Sequence, residues 1–246
     1  MIFAANWKMY LNESDSNEFV KQMHLEKENF VDKDIMIFPS SSAIRSVKNN
    51  THFLPKIVIG MQDCSHELTG ALTGDNSINA IEVDACIVGH SERRKIFNES
   101  NEIIKRKLDN ALNNVASTIL CIGETKEEKD KNETFNTLEN QLSILPKELH
   151  KSQLIIAYEP VWSIGTGKIP NVSEINEMHE HIKKVILKRT NKKVKVLYGG
   201  SVNVENIDSI LNVINVDGVL VGGASLKVKD FLAIYSAAVK HLNNSI

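Results

Sequence analysis

Cysteine, net charge and long apolar runs are all scarce in this chain of 246 residues. The three cysteines, Cys64, Cys86 and Cys121, form no CxxC pair and no metal-like spacing with histidine. An odd number in a chain this long reads as reduced thiols in a cytosolic protein. No segment offers the roughly 20 apolar residues that a membrane span needs. "MIFAANWK" has no basic region ahead of its short apolar run, so no signal peptide and a cytoplasmic location are expected. The formal net charge of −2 excludes general attraction to nucleic acid or to an anionic membrane. "KRTNKKVK" (188–195) is basic, but acids lie nearby and a helix end commonly looks like this. An anionic ligand would therefore have to be drawn by a local site.

What is present is an ordinary globular composition, 42% hydrophobic and 24% charged, with ample chain for a core. Eight short apolar runs recur: "IFAA" (2–5), "DIMIF" (34–38), "KIVIG" (56–60), "ACIVG" (85–89), "STILCI" (117–122), "LIIAY" (154–158), "KVKVLY" (193–198) and "DGVLVG" (217–222). Most are continuous and not alternating, as in strands covered on both faces. The segments between them carry helical periodicity. "SDSNEFVKQMHLEKENF" opens with a Ser/Asp cap signal, and "SEINEMHEHIKKVILKR" offers Ser173 as an N-cap, with acids early and lysines late. "SLKVKDFLAIYSAAVKHL" repeats the pattern. Eightfold strand–helix alternation without a linker predicts one α/β domain over 1–246, a single (β/α)8 TIM barrel; an open doubly wound sheet is the alternative.

A barrel should gather its chemistry just after the C-terminal ends of its strands. Those positions hold Asn6 and Lys8, His90 and Glu92, Cys121 and Glu124, Glu159, "GGS" at 199–201 and "GG" at 222–223. Asn6 and Lys8 would point to the same side of the first strand. An ammonium at a strand mouth can hold a phosphate or an oxyanion, while taken alone it reads as a snorkelling surface lysine. His90 precedes a segment that opens like a helix, so the dipole disfavours its cation; alone, it reads more readily as a cap or a surface group. Arg93 and Arg94 read as ion-pair partners. The turns "YGGSV" and "VGGAS" can each present backbone N–H groups to an anion, although turns need glycine anyway. Glu159 ends a buried strand, where partial desolvation should raise its pKa toward that of a general base. His24, His52, His66, His150, His179, His181 and His241 fall at no comparable exits and read as structural or exposed.

The motifs "NWKM", "GHSERR", "CIGE", "YEPVWSIGTGK", "YGGSV" and "GVLVGGASL" run in order through nearly the whole chain and resemble the triosephosphate isomerase family. The resemblance implies interconversion of dihydroxyacetone phosphate and D-glyceraldehyde 3-phosphate without metal or organic cofactor. It casts Glu159 as the base, His90 as the neutral electrophile and Lys8 as the cation on the developing charge, a division of labour for which that family is an established example. It makes Asn6 and Glu92 supporting residues. Gly165, Ser201, Gly222 and Gly223 match the phosphate grip, Ile164 and Leu220 the apolar groups around the base, and "SIGTGK" the lid. The loop 62–75 matches a homodimer arm, with Thr73 directed at the partner. Three departures stand out: Pro170 in the second lid hinge should alter lid rate, Ser163 replaces a commoner alanine, and Lys129 stands where an arginine often pairs with the acid matching Glu99. Cys121 is either an oxidation-sensitive thiol or a packing residue. Another phosphate-binding barrel enzyme would account for the two glycine turns alone, and a non-catalytic barrel would predict a damaged constellation.

Overall fold

Runs of Ile, Val, Leu and Ala with few turn residues form strands that are buried on both faces. In the computed structural model, which describes residues 1–26, 34–51, 57–149, 152–167 and 169–243, they are β1 (Ile2–Asn6), β2 (Asp34–Phe38), β3 (Ile57–Met61), β4 (Ala85–Val88), β5 (Ser117–Ile122), β6 (Gln153–Tyr158), β7 (Lys195–Tyr198) and β8 (Gly218–Val221). They pair in parallel in chain order, and β8 returns to β1 to close the barrel. Closure excludes the open doubly wound sheet. Lys56, His52, His150, Lys168 and residues 27–30 of the expected first helix lie outside the described residues.

Around the strands run α1 (Glu13–Leu25), α2 (Ile44–Asn50), α3 (Ser91–Ile96), α4 (Asn101–Asn114), α5 (Lys126–Asp130), α6 (Thr134–Leu142), α7 (Val172–Thr190), α8 (Ile207–Leu211) and α9 (Val228–Asn243). Because successive strand residues face opposite ways, the core divides in two. Ile2, Ala4, Met36, Phe38, Ile119, Ile155, Ala157 and Leu197 fill the barrel, whereas Phe3, Ala5, Ile37, Leu120, Ile156 and Val196 meet the helices. Each fully buried Ile or Leu contributes roughly 1.5–3 kcal/mol, so the framework under the strand ends is rigid.

The helix starts differ from the expected ones. Asn12, not the later Ser/Asp pair, caps α1 by accepting the Asp15 N–H. Asn171, not Ser173, caps α7: its side chain accepts the Glu174 N–H while the Glu174 carboxylate accepts the Asn171 N–H. Asn and Ser are near-equal caps, and the Glu three residues on decides for Asn171.

Candidate active site

At the C-terminal end of the barrel lies a cavity of about 350 Å³, bordered by Asn6, Lys8, His90 and Glu159 on one side and by the turns at 199–201 and 222–223 on the other. Gly165, Ser201 and the apolar Ile164 and Leu220 line it as well. Glu92 lines an adjoining groove of about 860 Å³ that shares Asn6, Lys8 and His90.

Asn6 and Lys8 do not share a side by strand pleat, as expected, because β1 ends at Asn6 and Lys8 turns into the left-handed region with φ 51°. Its N–H donates to Asn6 Oδ1 at 3.0 Å, which holds the turn. A non-glycine residue there costs on the order of 1 kcal/mol. The turn aims the ammonium back across the mouth, where Nζ meets Glu92 Oε1 at 2.5 Å.

His90 is the N-cap of α3, and its Nδ1 accepts the Glu92 N–H at 3.2 Å. That bond requires a lone pair on Nδ1, so the neutral imidazole with its proton on Nε2 fits the site. Nε2 faces Glu159 Oε1 at 3.1 Å, and the Ser91 N–H donates to Glu159 Oε2 at 3.0 Å. The carboxylate and the imidazole are thus engaged with each other.

This pairing corrects two expectations. Burial alone would raise Glu159, but the facing His90, the bonds from His90 and Ser91, and the charge of Lys8 together hold its carboxyl below the ordinary value. Burial likewise depresses His90, yet the Glu159 and Glu92 carboxylates outweigh it and move its pKa upward. The helix dipole is not the deciding influence; the neutral form rests on the Nδ1 bond.

Glu159 leaves β6 against Gly123, where a Cβ would lie 1.7 Å from the Glu159 carbonyl oxygen. Only glycine fits that approach. A 3₁₀ turn, Val161–Ser163, follows Pro160, and then Gly165 and Gly167 take φ of 70° and 72° in an exposed loop. The Ser201 hydroxyl donates to the Ser163 carbonyl at 2.7 Å, so the expected anion-binding hydroxyl is engaged by the turn after Glu159. Gly222 lies against the Lys8 stem, with a Cβ only 3.4 Å from Lys8 Cε, while Gly223 is open.

Sequence reasoning found Glu124 as a strand exit but gave it no partners. It accepts the Trp162 indole N–H at 2.7 Å and the Tyr158 hydroxyl at 3.1 Å, anchoring the turn after Glu159. Arg93 is an ion-pair partner as expected, but the cluster it joins, with Glu99 and Lys107 buried and Asp63 partly so, was not assembled from the sequence. Lys107 Nζ lies 2.5 Å from Asp63 and 2.6 Å from Glu99, and Arg93 joins both acids. A charged residue at helical spacing, such as Lys107, gives no sequence signal that it faces inward. Glu99 therefore has its cations from α3 and α4, and Lys129 pairs instead with Glu174, at 3.2 Å. Arg94 corrects the ion-pair expectation too, since it donates to Asn101 and to the Gly89 and Cys121 carbonyls. Cys121 is fully buried inside the barrel, and burial pushes its thiol up, so packing is what it does. Among the described residues no group of three or more His, Cys, Asp or Glu is placed to hold a metal, and no helix is long and apolar enough to cross a membrane.

The sequence model of a family described as "Triosephosphate isomerase" matches residues 1–238. A protein named triosephosphate isomerase from Lawsonia intracellularis is 39% identical over 251 aligned positions, covering 96% of this chain and 98% of its own. Proteins of the same name from Amoebophilus asiaticus and a Bradyrhizobium species are each 36% identical, over 95% of this chain and 97% and 96% of theirs.

Proposed function

The chain belongs to the triosephosphate isomerase family, and we propose that it interconverts dihydroxyacetone phosphate and D-glyceraldehyde 3-phosphate by proton transfer through an enediolate. The observation that carries this reading is the meeting of Glu159, His90 and Lys8 over one cavity, opposite two glycine turns. Residues 1–246 act as one catalytic domain, working in the cytoplasm.

The engaged Glu159–His90 pair makes binding and chemistry one event. The Nε2–H that must polarise the substrate carbonyl now faces Glu159 Oε1, so an entering carbonyl displaces the carboxylate. Once it leaves His90 and the Ser91 N–H, burial remains and the interactions that depress its pKa weaken. Its basicity rises as it reaches the carbon acid. Lys8 and the Nε2–H stabilise the enediolate oxygens, with Asn6 holding the Lys8 turn. Glu92 orients Lys8 and presents the N–H that fixes the His90 tautomer. The phosphate goes to the N–H groups of Gly165, Gly222 and Gly223 and to Ser201, which exchanges the Ser163 carbonyl for the ligand. Closure of the 161–167 segment excludes water and strengthens each of these contacts.

The protein acts as a homodimer. Met9, Tyr10, Ile96 and Phe97 are exposed around the 860 Å³ groove, and the loop 68–75 stands exposed beside them, its base closed by the Ser65 N–H to the Asn76 carbonyl at 2.8 Å. A self-complementary interface would seat the partner's loop, Thr73 included, in that groove and cover the apolar rim. The test is formation of D-glyceraldehyde 3-phosphate from dihydroxyacetone phosphate by purified protein whose mass in solution is measured alongside. Turnover by a species of twice the chain mass is expected; a folded protein without turnover would overturn the isomerase reading, and full turnover by a monomer would overturn the dimer.

A further inference from the structure

Lys129 joins the two ends of the lid. At the leading end the Lys129 ammonium sits 3.8 Å from the centroid of the Trp162 ring, whose N–H is held by Glu124. At the trailing end it lies 3.2 Å from Glu174 Oε1, while Glu174 Oε2 accepts the Asn171 N–H in the cap of α7. Lys129 itself rides on α5, fixed by the capping box of Thr125 and Glu128. It does not line the cavity, so it touches no bound triose phosphate.

On the isomerase reading above, we infer that Lys129 is a positioning residue that holds the lid in its open arrangement by bridging Trp162 and Glu174. In that arrangement the lid tip is exposed and the Ser163 carbonyl is tied to Ser201. Closing the lid must release that carbonyl and turn the Val161–Ser163 segment, which draws the indole off the ammonium. The bridge therefore opposes closure and speeds reopening after each turnover. Because it works through a half-exposed ion pair and a cation–π contact, it tunes the equilibrium without locking it.

The test uses kcat and KM for D-glyceraldehyde 3-phosphate in Lys129→Met, Glu174→Gln and Lys129→Arg. Met keeps the stem and removes the charge. Gln removes the ion pair but preserves the capping box. Arg keeps both charge and stacking. The expected result is a fall in kcat and KM together, about three- to ten-fold for Lys129→Met and smaller in the same direction for Glu174→Gln, with Lys129→Arg near wild type. A structural role alone would lower kcat without lowering KM, and that result overturns the bridge. So does an active Lys129→Met enzyme with both constants unchanged, or an Arg variant as altered as Met. Absence of turnover in the wild type removes the isomerase reading, and the bridge with it.

Discussion

Asp63→Asn should stabilise the protein, and only above the acid range. The Asp63 carboxylate touches two cations, Lys107 at 2.5 Å and Arg93 at 3.1 Å, which would ordinarily hold it ionised. Burial works the other way and prevails, aided by the neighbouring Glu99, so its pKa rises from 3.8 to about 6. Its second oxygen, Oδ1, is buried without a hydrogen-bond partner. A carboxyl whose folded pKa is raised binds more protons folded than unfolded between those two values. Stability is therefore lost as pH climbs from about 3.8 to about 6, and the full loss persists above. At 1.36 kcal/mol per unit, two units amount to ~3 kcal/mol. The asparagine oxygen can take the Lys107 bond, and the Asp63 charge is no longer buried. Thermal melts at pH 7.5 should show a gain of about 5–10 °C for a chain of this size, shrinking to a small remainder by pH 4. An unchanged melting temperature at pH 7.5, or a gain that is the same at both pH values, would refute the reasoning.

Other outcomes follow from the same structure. His179 is buried with Nδ1 on the Asn215 carbonyl, and desolvation lowers its pKa to about 4. The unfolded chain then takes up a proton that the fold refuses, so ~3 kcal/mol is lost as pH falls from 6.5 to 4. His179→Gln should flatten that part of the stability curve, and urea titrations with parallel pH dependence would count against it. Gly123→Ala pushes a methyl into the Glu159 backbone, and a displaced base should lower kcat on the order of 10²-fold; near-normal kcat would mean the β5–β6 exits yield freely. Pro170 is buried one residue before the cap of α7, where its fixed φ stiffens the second hinge. Pro170→Ala should change the rate of lid opening measured by relaxation methods, and equal rates would remove that role.

Much of the barrel was legible because its strands are apolar runs of four to six residues, too short for helices and too continuous for a half-exposed sheet. β2 and β5 coincide with their expected spans, while β7 begins at Lys195, two residues later than expected. The exits carrying Asn6, His90 and Glu159 followed from strand ends alone, and six ordered motifs carried the family resemblance. What stayed hidden depends on long-range contact. Glu159 and His90 are 69 positions apart in the chain, yet their pairing reverses the pKa direction expected of each. Lys129 was matched to a pairing with Glu99, whereas its ammonium lies over Trp162 and against Glu174. Caps chosen between neighbouring Asn and Ser, as at Asn171 and Ser173, are settled by a bond one turn away.

The central claim is that Glu159 moves the proton. The most direct measurement is isomerisation of D-glyceraldehyde 3-phosphate by wild type and by Glu159→Gln, with melting curves showing both folded. Removing a positioned general base should lower kcat by ~10²–10⁴-fold. Wild-type turnover that collapses in the variant is the predicted result; turnover that survives in a folded Glu159→Gln enzyme would contradict the account.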